Sequence, residues 1–310
     1  MPVFPGGNLI LFRTYTIIRK EYAAAVLAVN TAMERIPVMR DFLSKDDYEE
    51  PVCPLNMHPE VTPIPVGRII GKLDSFLNRN DYDAAERHLR YWLSEADACN
   101  DLRGKLTVLN EQIGLYRKTG KEAECLRAIT DALALAGSAE TEGSVACGTT
   151  LVNAATGYNA FGKAEEALPL YRKARLIYES ALEAGDGRLG GLYNNMALTL
   201  AALGEYREAE ELYHKAVSIM EKQENGSLEV AVTCLNLADL VLAESGPEAG
   251  EKEIEQYLLK AERLLDAENL PRDGYYAFVC EKCAPVFGYY GFFLTERELN
   301  RRAREIHERA

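Results

Sequence analysis

The amino-acid sequence predicts an all-α protein in which helical hairpins stack one on the next, an α-solenoid. Two beats carry this. Ala132, Ala174, Ala216, Ala261 and Ala303 recur at sequence intervals of 42, 42, 45 and 42. Gly120, Gly162 and Gly204 recur 42 apart, each standing twelve places before one of those alanines. A period of this length marks supersecondary units that cannot bury their apolar faces singly and so share one continuous core. Within a unit the period is helical: from Leu151 to Tyr178 apolar or small residues return at three- and four-residue steps on both sides of Gly162. Glycine accepts the left-handed conformation that ends a helix. Ala167 and Ala174 then supply small side chains where two backbones approach closely.

The stretches Tyr193 to Ala216 (YNNMALTLAALGEYREAEELYHKA) and Leu151 to Ala174 resemble the tetratricopeptide repeats. Ordinary members repeat at about 34 residues. The longer units of this chain, with an asparagine in the first helix, look like the repeats of kinesin light chains, and Glu229 to Leu240 (EVAVTCLNLADL) is similar. The resemblance covers roughly residues 66–305 and implies a right-handed superhelix of about six hairpins, near 66–100, 105–138, 147–183, 189–224, 229–268 and 273–307. Departures fall at Trp92, at extra residues around Gly246 and Pro247, and at Glu296, where a small residue is usual.

Residues 1–50 read as a helical cap or degenerate repeat, Lys20 to Ala32 having the alanine spacing of a repeat helix. Five prolines between Pro51 and Pro65 exclude a regular helix, because each removes a donor and disfavours helix before it. Residues 51–65 are therefore a linker or an arm that reaches the array, and 66–310 are the superhelix.

Composition narrows the function. A chain of 310 residues, 47% hydrophobic, carries a sizeable core. No run of eighteen apolar residues occurs, the start lacks the order of a signal peptide, and seven scattered cysteines fit reduced thiols, so a cytoplasmic location is expected. A net charge of −13 disfavours nucleic acid and anionic membrane. The basic cluster Arg297 to Arg304 is interleaved with Glu298 and flanked by Glu305.

Two chemical motifs stand out, and the residues around each favour a structural role. Gly185-Asp-Gly187-Arg-Leu-Gly190 spells a dinucleotide fingerprint, but a helix leads into it where a strand is required, so a loop between repeats is expected. Cys280-Glu-Lys-Cys283 suits a redox pair or half a zinc site; Cys53 and His58 are the candidate completing ligands. By the repeat register, however, Cys280 and Cys283 fall in the apolar slots of Tyr193 and Met196, which favours the core. No catalytic set, phosphate loop or cofactor motif is present, so no enzyme, metal or cofactor is expected.

Asn110, Asn153, Asn195 and Asn236, spaced 43, 42 and 41, lie on the first helices of four successive units. The resemblance implies that these helices line a concave wall, with Asn194 beside the four. An amide offers a donor and an acceptor to an extended main chain of any sequence. The alternative is that each asparagine bonds the next helix or a loop. Thr156, Asn159, Asp239, Arg117 and Lys118 are the expected specificity residues: Asp239 for a basic group, Arg117 and Lys118 for an acidic group or a carboxy-terminus. The expected function is a non-enzymatic scaffold for a protein or peptide. A peptide-sensing regulatory receptor and a thiol or metal protein built on Cys280 and Cys283 remain alternatives.

Overall fold

The structure, a computed structural model, describes residues 62–309 apart from 78, 139–141 and 225. The cap expected over 1–50, the stretch 51–61, Cys53 and His58 lie outside the described residues. Among the described residues all regular structure is helical, and eleven helices make six successive hairpins. They belong to two units divided at the end of the helix Glu122–Ala136, whose last residue, Ala136, already counts with the second.

The first unit contains Val66–Leu77 (α1), Tyr82–Ala98 (α2), Leu102–Thr119 (α3) and Glu122–Ala136 (α4). Ile69, Leu73, Ala85, Leu89, Ala96, Val108 and Leu115 form its core, with Phe76 and Trp92 partly buried against it. Asp101 begins α3 and also anchors the chain before α1. One carboxylate oxygen accepts from Gly104 N and the other from Ile64 N, both at 2.9 Å. A cap of this kind is worth about 1 kcal/mol. Gly120 ends α3 with φ 69°, a left-handed conformation that any side chain would strain.

The second unit contains Val145–Ala160 (α5), Ala164–Ala181 (α6), Gly187–Ala202 (α7), Tyr206–Met220 (α8), Ser227–Leu265 (α9), Gly274–Tyr289 (α10) and Phe293–Arg309 (α11). Helix α9 is two limbs that meet at Gly246 (φ 79°, ψ 171°), and Gly250 on the second limb packs against Val241 on the first. The left-handed turn glycine therefore extends beyond the three read from the sequence, through Gly246 to Gly291 (φ 84°). The hairpins stack in chain order, α6 on α7, α8 on α9 and α9 on α10. Ala132, Ala174, Ala216, Ala261 and Ala303 are all buried, at 0–1% exposure. A larger side chain there would separate helices at a typical cost of about 1–3 kcal/mol.

A further small residue serves the open end, away from the turn, in two of the hairpins. A Cβ on Gly148 would lie 2.6 Å from the Tyr178 ring, and one on Gly190, a repeat further along, 2.8 Å from Met220 Cε. The GxGxxG stretch is thus only half a loop. Asp186 accepts from Arg188 N and starts α7 at Gly187, so Gly187 to Gly190 form a helical first turn in which Gly190 permits close packing.

Candidate functional site

The second unit holds a cleft of about 470 Å³. Its apolar wall is the last turn of α7 (Leu198, Ala201, Ala202 and Leu203) with Leu240 and Ala243 of α9. The α5–α6 turn supplies Asn159, Gly162 and Lys163, and the start of α6 adds Glu165 and Glu166. Tyr213 of α8 together with Asn236 and Asp239 of α9 provides further polar groups.

Counting back from the turn glycine explains why polarity gathers here. Asp239 stands seven places before Gly246; the same slot holds Ile113, Ala155, Ala197 and Ala284 in the four other hairpins that turn at a glycine. One hairpin therefore places a carboxylate where its neighbours place an apolar side chain. Asp239 Oδ1 accepts from the Tyr290 hydroxyl at 2.8 Å. Burial raises the Asp239 pKa to about 6, and the Tyr290 hydrogen bond opposes that rise. Among the described residues no Lys, Arg or His pairs with Asp239.

Tyr213 has a similar history. In the preceding hairpin the equivalent Tyr171 hydroxyl lies 2.9 Å from Thr156 Oγ1, but one repeat after Thr156 the chain has Leu198, which has no polar group to offer. The fully buried Tyr213 lines the cleft with Asn236 instead, and burial followed by the Asp239 charge pushes its pKa upward.

The candidate asparagines occupy two helical registers. Asn110, Asn194 and Asn236 stand ten places before Gly120, Gly204 and Gly246, whereas Asn153 and Asn195 stand nine before Gly162 and Gly204. One residue turns a helical side chain by about 100°. Accordingly Asn236 Nδ2 donates to Asn194 Oδ1 at 3.4 Å, Thr233 Oγ1 donates to the same oxygen at 3.1 Å, and Asn195 is 0% exposed inside its own hairpin. Asn153 is buried as well. Asn110 Nδ2 donates to Leu106 O one turn back.

Asn159, Asn236 and Asp239 are thus the expected residues that meet at the cleft, with Asn194 behind Asn236. Thr156 is buried and occupied with Tyr171 and with Val152 O. Arg117 and Lys118 belong to the first unit, in the last turn of α3, where cations complement the helix dipole; Lys118 also lies 5.2 Å from the Tyr82 ring centroid. The sequence reading missed Tyr213, Tyr290 and Leu198. Tyr213 carried a signal, since it stands one repeat after Tyr171.

Glu111 was missed too. It fills the register of Asn153 and Asn195 in the first unit, where its buried Oε2 has no hydrogen-bond partner among the described residues and burial raises its pKa to about 8. Cys280 and Cys283 lie in the core; burial pushes Cys280 to about 12 and Cys283 well above its ordinary value. Among the described residues no group of three His, Cys, Asp or Glu gathers as a metal site, and no helix is long and apolar enough to cross a membrane.

Comparison with known proteins agrees with the geometry of the hairpins. The tetratricopeptide-repeat family matches residues 147–186 and 190–222, which are the α5–α6 and α7–α8 hairpins. No curated protein matches the chain. Among solved structures, kinesin light chain nearly identical TPR-like repeats of Podosopora anserina share 17% identity, covering 66% of this chain and 95% of that one, with a TM-score of 0.49. BtubC (BKLC) from P. vanneervenii shares 16% identity over 79% of this chain and 92% of that one, with a TM-score of 0.43. NprR in complex with its cognate peptide NprX shares 15% identity over 78% of this chain and 67% of that one, with a TM-score of 0.46. The tetratricopeptide-repeat match thus falls on two of the hairpins, and the helical hairpin on either side of them continues the same architecture.

Proposed function

We infer that this protein is a non-enzymatic cytosolic scaffold that holds an extended segment of a partner protein in the cleft between the α5–α6 turn, α7 and α9. The observation that carries this reading is the coincidence of an apolar wall with amides and a carboxylate in one open space. Binding sites typically combine mostly apolar linings with a few convergent polar groups. Asn159 is half-buried at the edge and Asn236 lies deeper. Each amide offers both a donor and an acceptor to a ligand main chain. The repeat family supports the class of function, and the cleft supports the location. Partner identity is a matter for capture.

The test compares the intact chain with Ala201→Trp, a bulky side chain introduced at a half-buried wall position, after circular dichroism shows equal helicity. Partners retained from native extract by the first and lost by the second support the cleft, and their binding segments then serve as peptides for titration. Equal retention by both refutes it.

A further inference from the structure

We propose that the cleft selects its ligand by a basic side chain, lysine or arginine, with Asp239 as the counter-ion. This rests on the reading of the cleft as a peptide site and names what it recognises. A carboxylate placed where other hairpins carry alanine or isoleucine has no packing purpose. It also lacks an internal cation: Tyr290 satisfies Oδ1 at 2.8 Å, and Oδ2 makes no hydrogen bond among the described residues. The adjoining wall of Leu198, Ala201 and Leu240 suits the methylene stem of a long basic side chain, which buries its carbons and leaves its charge to a polar end.

An alternative source of charge balance is the cleft's own edge, and the groups there argue against it. Lys163, Glu165 and Glu166 come from the start of α6, Tyr213 from α8 and Tyr290 from the end of α10. Burial and the Tyr290 bond are what act on Asp239, and no cation is among its influences. An arriving ammonium or guanidinium would be the first positive charge beside it. Binding then favours the ionised carboxylate, so affinity for a basic ligand is full above about pH 6 and declines below it.

The experiment selects from a library of random nonapeptides on the full chain, then measures affinities for wild type, Asp239→Asn and Ala201→Trp. The expected result is a Lys or Arg at one fixed position in the selected peptides. Replacing that residue by norleucine, or Asp239 by Asn, should each weaken binding about tenfold or more, as loss of a charged hydrogen-bonded pair does. The two changes together should cost little more than either alone. Affinity should also fall as pH drops from 7.5 to 5 for wild type and stay level for Asp239→Asn.

Two results would overturn the proposal. Selected peptides that Ala201→Trp rejects, but that lack a basic residue or bind Asp239→Asn as tightly as wild type, would leave the cleft as the site and remove the cation pocket. Peptides indifferent to Ala201→Trp would remove the cleft and the cation pocket together.

Discussion

Replacing Asp239 by asparagine removes a charge that the fold holds away from water while preserving the side chain's shape and an acceptor for the Tyr290 hydroxyl. The native carboxyl has a pKa of about 6 against an ordinary value of 3.8. At 1.36 kcal/mol per pH unit that gap corresponds to about 3 kcal/mol. The direction follows from where the proton sits. A carboxyl with a raised native pKa binds its proton more tightly when folded, so its contribution is complete below about pH 3.8 and is lost as pH rises through about 6.

The amide that takes the place of the carboxyl does not titrate, and the stability of Asp239→Asn relative to wild type should therefore increase by up to about 3 kcal/mol between pH 4 and pH 7.5. Urea unfolding followed by circular dichroism reads this, with equal m-values required so that repeat-by-repeat melting does not distort the comparison. Taking the difference between the two proteins at each pH cancels every other titrating group. A difference that is the same at both pH values would show that Asp239 is solvated like a surface carboxylate, and the argument for a buried counter-ion would fail with it. A gain in stability accompanied by loss of basic ligands would be the usual exchange at a binding site, where an uncompensated group is kept for function.

Gly148→Ala should destabilise by about 1–3 kcal/mol because the new Cβ meets the rigid Tyr178 ring, whereas Gly190→Ala should be near neutral because the flexible end of Met220 gives way; thermal melts of the pair check this. Asn236→Ala should cost about 1–3 kcal/mol by removing a buried amide and its bond to Asn194, and Tyr213→Phe should cost less, as read by urea titration. Glu111→Gln should gain on wild type as pH rises from 4.5 to 8, since the native proton on Glu111 is retained to about pH 8; pH-dependent unfolding would refute the burial of Glu111 if the difference stayed level. Cys280 and Cys283 should resist a thiol reagent in the native protein and react on unfolding, and rapid native reaction would contradict their place in the core.

How much of this was legible depends on what kind of periodicity each feature has. The beat of alanines and glycines arises from backbone requirements that recur in successive hairpins: a small side chain where helices cross, and a left-handed residue where the first helix ends. Such requirements tolerate few residue types, so they print themselves on the sequence. Gly148 and Gly190 obey the same logic and were equally readable. The asparagines mislead because their spacings of 43, 42 and 41 look like one ladder while a single residue of drift moves a side chain to another face of its helix. Only the turn glycines, taken as the origin of each count, separate Asn194 and Asn236 from Asn153 and Asn195.

By itself, then, the sequence determined the hairpin, its repeat and the positions of its turns, because local backbone geometry and helical burial depend on residues near one another in the chain. The tertiary structure decided what the polar residues do. Whether Asn236 meets Asn194 and Tyr213, whether Thr156 is already taken by Tyr171, and whether Asp239 faces a cation depend on neighbours far away along the chain, on other helices. A hydrogen-bonding group is defined by its partner, and its partner comes from another helix.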